Sequence, residues 1–231
     1  MLVSVIIPSF ERFESLNTAI QSVLNQTYPK IEIIIIDDCS QDPRYQELDK
    51  IYHYSPVVIV HLPENMRHKH KLSAAQGLTK NEGLKLARGD YIAFLDDDDA
   101  YCDENKLQYQ IDMLEKYKCG LCCSNMYIGN GMYDRNITYP LYFNKNFELG
   151  NRLERHVYLF NKLHIESVNY INNSSVVIHS KVIEQAGLFG GGINEDYRYW
   201  KKVINYTDGI YTQDITTYYD SGHAGKVHYT T

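Results

Sequence analysis

The chain has 231 residues, enough to bury a sizeable hydrophobic core as one large domain or two small ones. Its formal net charge of −6 argues against a polyanion-binding face, which sets nucleic acid aside as a partner. Five cysteines, Cys39, Cys102, Cys119, Cys122 and Cys123, form an odd set with no repeated C-x-x-C pair. That pattern indicates neither a zinc site nor a disulfide framework and points to a reducing, cytoplasmic compartment.

The opening MLVSVIIP has no basic leader, and its apolar run ends at Pro8, too early for a signal peptide or an intrinsic membrane segment. Val3 to Ile7 and Ile31 to Ile36 are unbroken β-branched runs, as expected of strands buried on both faces of a parallel sheet. Leu16, Ala19, Ile20, Val23 and Leu24 recur at helical spacing between them and stop at Tyr28-Pro29, giving a βαβ unit. A second cycle follows: VVIVHL as a strand, SAAQGLTKNEGLKLA as a helix stopped by Gly89, and DYIAFL as a strand. Leu107, Ile111 and Leu114 mark the next helix, and LCCSNMYI the next strand.

Through about residue 128 the alternation predicts a doubly wound, Rossmann-like α/β sheet flanked by helices. From 129 to 170 only a helix in RHVYLFNKLH is suggested, and this Tyr-rich stretch is the expected acceptor wall. SSVVIH reads as a strand, KVIEQAG and NEDYRYWKKVI as helices, and the second half as an extension of one domain.

Three polar clusters fall at predicted strand ends: Pro8-Ser9-Phe10-Glu11, Asp37-Asp38, and Asp96 to Asp99. Ligands of open α/β sheets bind beyond the carboxyl ends of strands, so the three clusters are expected in one place. In an extended segment side chains alternate, which would put Asp96 and Asp98 on one side with Asp97 turned away. Two carboxylates beside phosphate oxygens suit Mg²⁺ or Mn²⁺. A solvated acidic loop before a helix is the alternative.

VSVIIPSFERFESLNTAIQSVLNQTYPKIEIIIIDDCSQD together with ARGDYIAFLDDDD resembles the family 2 inverting glycosyltransferases, closely over residues 1 to 115 and more loosely past 200. The resemblance implies a single GT-A domain over 1–231, with a donor half at 1–128 and an acceptor half with a C-terminal segment at 129–231. It implies transfer of a hexosyl or N-acetylhexosaminyl group from a nucleotide-diphosphate donor, a UDP-sugar above all, to a glycan, lipid or protein hydroxyl. Mn²⁺ or Mg²⁺ would be the cofactor.

Carried over by position, Pro8, Ser9 and Phe10 match the stretch that cups the base, with Glu11 beside it, and Asp38 the carboxylate that reads uracil. Asp96-x-Asp98 matches the D-x-D element: Asp98 as metal ligand, Asp96 on ribose or metal-bound water, Asp97 grouped with the donor contacts and Asp99 as an assistant. Lys80 stands where Arg is commoner, so a bidentate phosphate grip is replaced by a point charge. Asp196 falls on the catalytic base position, with Glu195 orienting the acceptor or loop, Arg198 beside them and Trp200 on the acceptor side. His223 would complete the metal shell. The other readings are a non-catalytic nucleotide-sugar binding module and a sugar-nucleotide nucleotidyltransferase, whose glycine-rich basic loop PSFERFES lacks.

Overall fold

The computed structural model describes residues 1–53, 56–129, 139–140, 150–166 and 169–222. The Val and Ile runs become β1 (Val3–Ser9) and β2 (Ile31–Asp37), joined by α1 (Phe13–Leu24). There follow α2 (Leu48–Ile51), β3 (Val57–His61), α3 (Met66–His70), α4 (Gln76–Leu86), β4 (Tyr91–Phe94), β5 (Ala100–Tyr101), α5 (Lys106–Tyr117) and β6 (Leu121–Gly129). The second half adds β7 (Tyr139–Pro140), β8 (Asn151–Glu154), β9 (Val157–Phe160), α6 (Lys162–Ile165), β10 (Val177–His179), α7 (Ser180–Ala186), α8 (Glu195–Val203) and β11 (Gly209–Asp220).

Among the described residues one sheet runs in the order β3-β2-β1-β4-β10-β6-β11-β9-β8. The block β3-β2-β1-β4 is parallel, and β6 and β11 are parallel to one another. Between those blocks β10 runs antiparallel to both neighbours, which lets the chain return from its second half into the middle of the sheet. No described helix is long and apolar enough to cross a membrane.

The sheet is wound on both faces because alternate strand residues feed two cores. Val3, Val5 and Ile7 pack with Leu16, Ala19 and Ile20 of α1 and with Leu107 and Ile111 of α5. Ile6, Ile34, Ile36 and Phe94 pack on the other side with Phe189, Trp200 and Val203.

Two expectations are corrected, one in each half. RHVYLFNKLH is not one helix: its centre is the strand β9, with Val157 and Phe160 buried and pairing antiparallel with Gly209–Thr212 of β11, and only Lys162–Ile165 is helical. β11 itself, twelve residues long, carries no clean hydrophobic alternation, because it is buried on both faces and includes Thr212, Thr216 and Thr217. Gly89 does not end α4 as a left-handed cap; α4 stops at Leu86, and a Cβ at Gly89 would lie 2.6 Å from the Ser4 nitrogen.

The face of α4 that meets the sheet is set by Gly83, where a Cβ would come 2.5 Å from Ile6 Cγ2. Intrinsic propensity favours Ala over Gly in a helix by about 1 kcal/mol. Close packing opposes that here, since lifting α4 off β1 costs about 1–3 kcal/mol. Gly83→Ala is therefore expected to lower stability in urea unfolding, and a gain would show that α4 rests on the sheet less tightly than these contacts require.

Candidate active site

The three strand ends meet. Asp38 N–H donates to the Ser9 carbonyl at 2.8 Å, and Ser9 Oγ donates to Asp97 Oδ2 at 2.8 Å, so the loops after β1, β2 and β4 are tied side by side. Between them and α4 lies a cavity lined by Pro8, Ser9, Phe10, Asp38, Asn65 and Thr79, with Arg12, Arg67 and Gln76 at its edges.

Asp38 faces this cavity. Its Oδ1 accepts from Met66 N–H at 2.8 Å and its Oδ2 from Asn65 Nδ2 at 3.1 Å. Burial pushes its carboxyl up to about 6, with the charge of Asp37 adding and the Met66 N–H and Thr79 hydroxyl opposing. Asp37 is occupied elsewhere: it accepts from Ser40 N–H at 2.9 Å and meets His61 Nδ1 at 2.8 Å, holding the turn after β2. Glu11 is exposed with a left-handed φ of 56°, and its carboxylate accepts from Gln41 N–H rather than lining the cavity.

β4 ends at Phe94, and Asp99 N–H donates to the Asp96 carbonyl at 3.0 Å, closing a turn. This corrects the extended alternation expected of the acidic run, and the four carboxylates face different donors except for the Arg12 nitrogen that Asp97 and Asp98 share. Asp96 lies 3.3 Å from Lys80 Nζ and accepts from Asn173 Nδ2 at 3.0 Å. Asp97, far from turning away, is buried and accepts from Ser9 Oγ, from Phe10 N–H at 3.2 Å and from Arg12 Nη1 at 3.0 Å. Asp98 takes the same Arg12 nitrogen at 2.7 Å. Asp99, fully buried, accepts from Ser174 Oγ at 2.5 Å and from Asp220 N–H at 3.0 Å.

Burial raises the carboxyls of Asp97, Asp98 and Asp99, and the neighbouring carboxylates raise Asp98 and Asp99 further, against the pull of Arg12 on Asp97 and Asp98.

Lys80, on α4, is 2 % exposed. Its Nζ stands 3.3 Å from Asp96 Oδ1 and 3.8 Å from Glu195 Oε1. Burial opposes its charge, but Asp96, Glu195 and Asp196 together outweigh burial and hold its pKa above the usual lysine range. Glu195 is raised by burial, with Asp196 and Asp96 adding and Lys80 opposing. Lys80 thus joins the acidic turn to the start of α8.

The approach of α8 to α4 depends on Gly77, where a Cβ would lie 2.6 Å from the Gly190 carbonyl and 2.7 Å from Glu195 Cγ. Asn81 fixes the same loop from the helix: it donates to the Phe189 carbonyl at 3.0 Å and accepts from Phe189 N–H at 2.9 Å. The result is a second cavity, about 280 Å³, lined by Gln76, Lys80, Asp96, Asn173, Glu195 and Asp196. Gln76 borders both cavities, so the two adjoin. Asp196 is half-buried, with Oδ1 accepting from Tyr197 N–H at 2.6 Å. Arg198, flagged by the sequence as a neighbouring cation, donates instead to the carbonyls of Gly191, at 2.7 Å, and Ile193.

Trp200 is corrected. It is 0 % exposed and packs tilted on Phe94 (6.1 Å between ring centres) and edge-on to Phe189 (5.9 Å) and Tyr199 (5.4 Å). It presents no face to an acceptor, because the apolar underside of α8 buries it against β4. His223 and most of the expected acceptor wall lie outside the described residues.

Arg12, Asn173 and Ser174 were not singled out by the sequence reading. The available signals were slight: Arg12 is the one basic residue of PSFERFES, and Asn173-Ser174 belongs to a polar cluster just ahead of a strand.

Among the described residues no group of three His, Cys, Asp or Glu side chains is arranged to hold a metal ion by itself. Mg²⁺ and Mn²⁺ need only one or two carboxylates when a bound phosphate supplies the rest. Asp96, one-third exposed in the lining of the second cavity, offers one such carboxylate, and Asp98, which lines neither cavity and whose Oδ2 meets Arg12, a second.

Trp200→Ala is expected to cost about 3–5 kcal/mol in urea unfolding, the loss typical of a buried large aromatic; an acceptor contact would instead raise KM at unchanged stability. For Asp38, a raised folded pKa means that stability falls as pH rises from its unfolded value near 3.8 through about 6 and then levels. In Asp38→Asn that decline is absent, so the stability difference between variant and parent should shift in the variant's favour between pH 4 and 7. A difference flat with pH would place Asp38 in a wetter setting.

The family model described as glycosyl transferase family 2 matches residues 4–177. The chain is 34% identical over 124 residues to the putative teichuronic acid biosynthesis glycosyltransferase TuaG of Bacillus subtilis, covering 51% of this chain and 44% of that protein. It is 36% identical over 127 residues to the UDP-Glc:alpha-D-GlcNAc-diphosphoundecaprenol beta-1,3-glucosyltransferase WfaP of Escherichia coli, covering 55% of this chain and 47% of that protein. Residues 1–349 of S. aureus TarS, in complex with UDP, align with a TM-score of 0.74 at 18% identity, over 95% of this chain and 60% of that one, so the two share the GT-A fold. The chain spans about half the length of the two curated relatives. With a family match that runs from β1 into β10, the chain belongs to glycosyl transferase family 2.

Proposed function

We propose that this protein transfers a sugar, with inversion, from a nucleotide-diphosphate donor to an acceptor hydroxyl. A single observation carries the reading: the cavity at the ends of β1 and β2 adjoins a second cavity in which Asp96, Lys80, Glu195 and Asp196 converge. The first would take the nucleoside. Asp38 and Asn65 offer a carboxylate and an amide to the base edge, and Phe10 an aromatic flank. UDP as the nucleotide is supported by the UDP-glucose in the name of WfaP and the UDP bound to TarS.

Asp98 and Asp96 would hold Mn²⁺ or Mg²⁺ together with the donor's phosphates. When bound, the cation neutralises charge on the departing diphosphate. The other steps belong to side chains. Lys80 keeps Asp96 and Glu195 at fixed separation across the sugar site. Asp196 accepts the proton of the acceptor hydroxyl as its oxygen attacks the anomeric carbon from the face opposite the diphosphate, which gives inversion. Glu195 orients the acceptor or the loop before α8. The acceptor is a hydroxyl of a glycan, lipid or protein.

Asp196→Ala is expected to keep UDP affinity in calorimetry while kcat falls by about 10²- to 10⁴-fold, the range for loss of a general base. Joint loss of UDP binding would make Asp196 structural. Asp98→Asn is expected to remove Mn²⁺-dependent release of sugar from UDP-glucose, by about 10²-fold or more, and undiminished turnover would refute the cation assignment.

A further inference from the structure

Arg12 is the strongest unassigned feature of the site. Its Nη1 bridges Asp97 Oδ1 at 3.0 Å and Asp98 Oδ2 at 2.7 Å, and it sits at the edge of the nucleoside cavity. Its backbone is pinned independently of the side chain: Arg12 N–H donates to the Tyr45 hydroxyl at 2.9 Å, and its carbonyl accepts from Leu16 N–H at 2.9 Å as α1 begins. The guanidinium can therefore move without disturbing the chain.

The two carboxylates it joins are not alike. Asp97 is 5 % exposed and has two further donors, Ser9 Oγ and Phe10 N–H, that fix it whatever Arg12 does. Asp98, its side chain 13 % exposed, is the carboxylate assigned above to the cation. A guanidinium 2.7 Å from its Oδ2 already supplies a positive charge there. A divalent cation on the same carboxylate would sit a few ångströms from that charge, with no added anion to separate them.

We infer that Arg12 is a counter-ion of Asp98, and that a divalent cation must displace it from Asp98 while Asp97 retains it in the lining of the nucleoside cavity. The inference rests on the cation reading proposed above. Two consequences follow. Metal alone binds weakly, because it competes with a tethered cation. Metal with nucleoside diphosphate binds well, because the phosphates bring the anionic charge that lets a cation and a guanidinium share the cleft, and a guanidinium released from Asp98 is shaped to grip phosphate oxygens in pairs. Arg12 would then be a positioning residue for the donor as well as a gate on the metal.

The test is Mn²⁺ titration without nucleotide, followed by calorimetry, on the parent, Arg12→Gln and Arg12→Lys. Arg12→Gln is expected to bind Mn²⁺ alone roughly tenfold more tightly, Arg12→Lys is expected to fall between, and the gain that UDP gives to Mn²⁺ binding should shrink in Arg12→Gln. Unchanged or weaker Mn²⁺ binding by a folded Arg12→Gln overturns this inference and leaves the cation site standing. Absence of Mn²⁺ binding to every form, with and without UDP, overturns both. Should circular dichroism show Arg12→Gln unfolded, the parent decides: the Nε–Hε resonance of Arg12, assigned through the backbone, should shift on saturation with Mg²⁺ alone, and a resonance that does not move refutes the displacement.

Discussion

The constraint on which the rest of the site depends is the repulsion among four consecutive carboxylates at the edge of a buried strand. Like charges at this spacing are tolerated only when donors or cations intervene. The fold answers each one separately. Asp99 is sunk fully and given Ser174 Oγ and Asp220 N–H, Asp97 is given Ser9, Phe10 N–H and Arg12, Asp96 is given Lys80 and Asn173, and Asp98 is given a share of Arg12. Among the described residues two cations, Arg12 and Lys80, pair with these four carboxylic acids, which leaves positive charge short within that set. Lys80 is moreover shared with Glu195, so the shortfall extends to the second cavity. That imbalance is the physical ground of the proposal that the cleft takes a divalent ion.

The partners of the turn come from remote parts of the chain, which explains why the second half threads back into the sheet. Asn173 and Ser174 precede β10, the antiparallel strand that pairs with β4 directly behind the turn. Asp220 closes β11, which pairs with β5 immediately beyond it. The span between the turn and Asp196 is set by rings: Phe94 on β4, Phe189 in the loop and Trp200 on α8 meet one another edge-on or tilted, and Phe189 stacks on Tyr199 at 3.7 Å. Aromatic packing of this kind holds separation firmly because cores are close-packed. Trp200 therefore matters to the site through distance.

What the sequence made legible follows periodicity. The strands β1, β2 and β4 and the helix α1 announce themselves as β-branched runs and a 3.6-residue stripe, and the convergence of Pro8-Ser9, Asp38 and the acidic run follows from strand ends alone. α4 is harder. Its buried face consists of Gly77, Thr79, Lys80, Asn81 and Gly83, none of them a large apolar residue, because that helix meets polar partners at one end and lies so close on Ile6 and Ile36 at Gly83 that no side chain fits there. β9 is ambiguous in sequence, since Val157 and Phe160 also sit at helical spacing, and pairing with β11 decides between the periods. Arg12 was illegible for another reason: the sequence gives its charge but not the turn that folds Asp97 and Asp98 back onto it, and an extended reading of the run placed Asp97 elsewhere.

Behind the acidic turn lies a second polar layer that local rules would not place in a core. Lys106, fully buried, donates to Gln110 Oε1 at 2.6 Å and to the Ser175 carbonyl at 3.4 Å, and its Nζ lies 4.4 Å from the centre of the Tyr101 ring. Gln110 Nε2 donates to the same carbonyl at 2.8 Å. Burial pulls the Lys106 amine down to about 7, so the position is costly for a cation and would favour an apolar residue if stability alone were at issue. The carbonyl it serves belongs to the segment whose Asn173 and Ser174 hold Asp96 and Asp99. A violation of local preference behind the cleft is what is expected when a turn of like charges must be held from behind, since any slack in that segment would let the carboxylates spread apart.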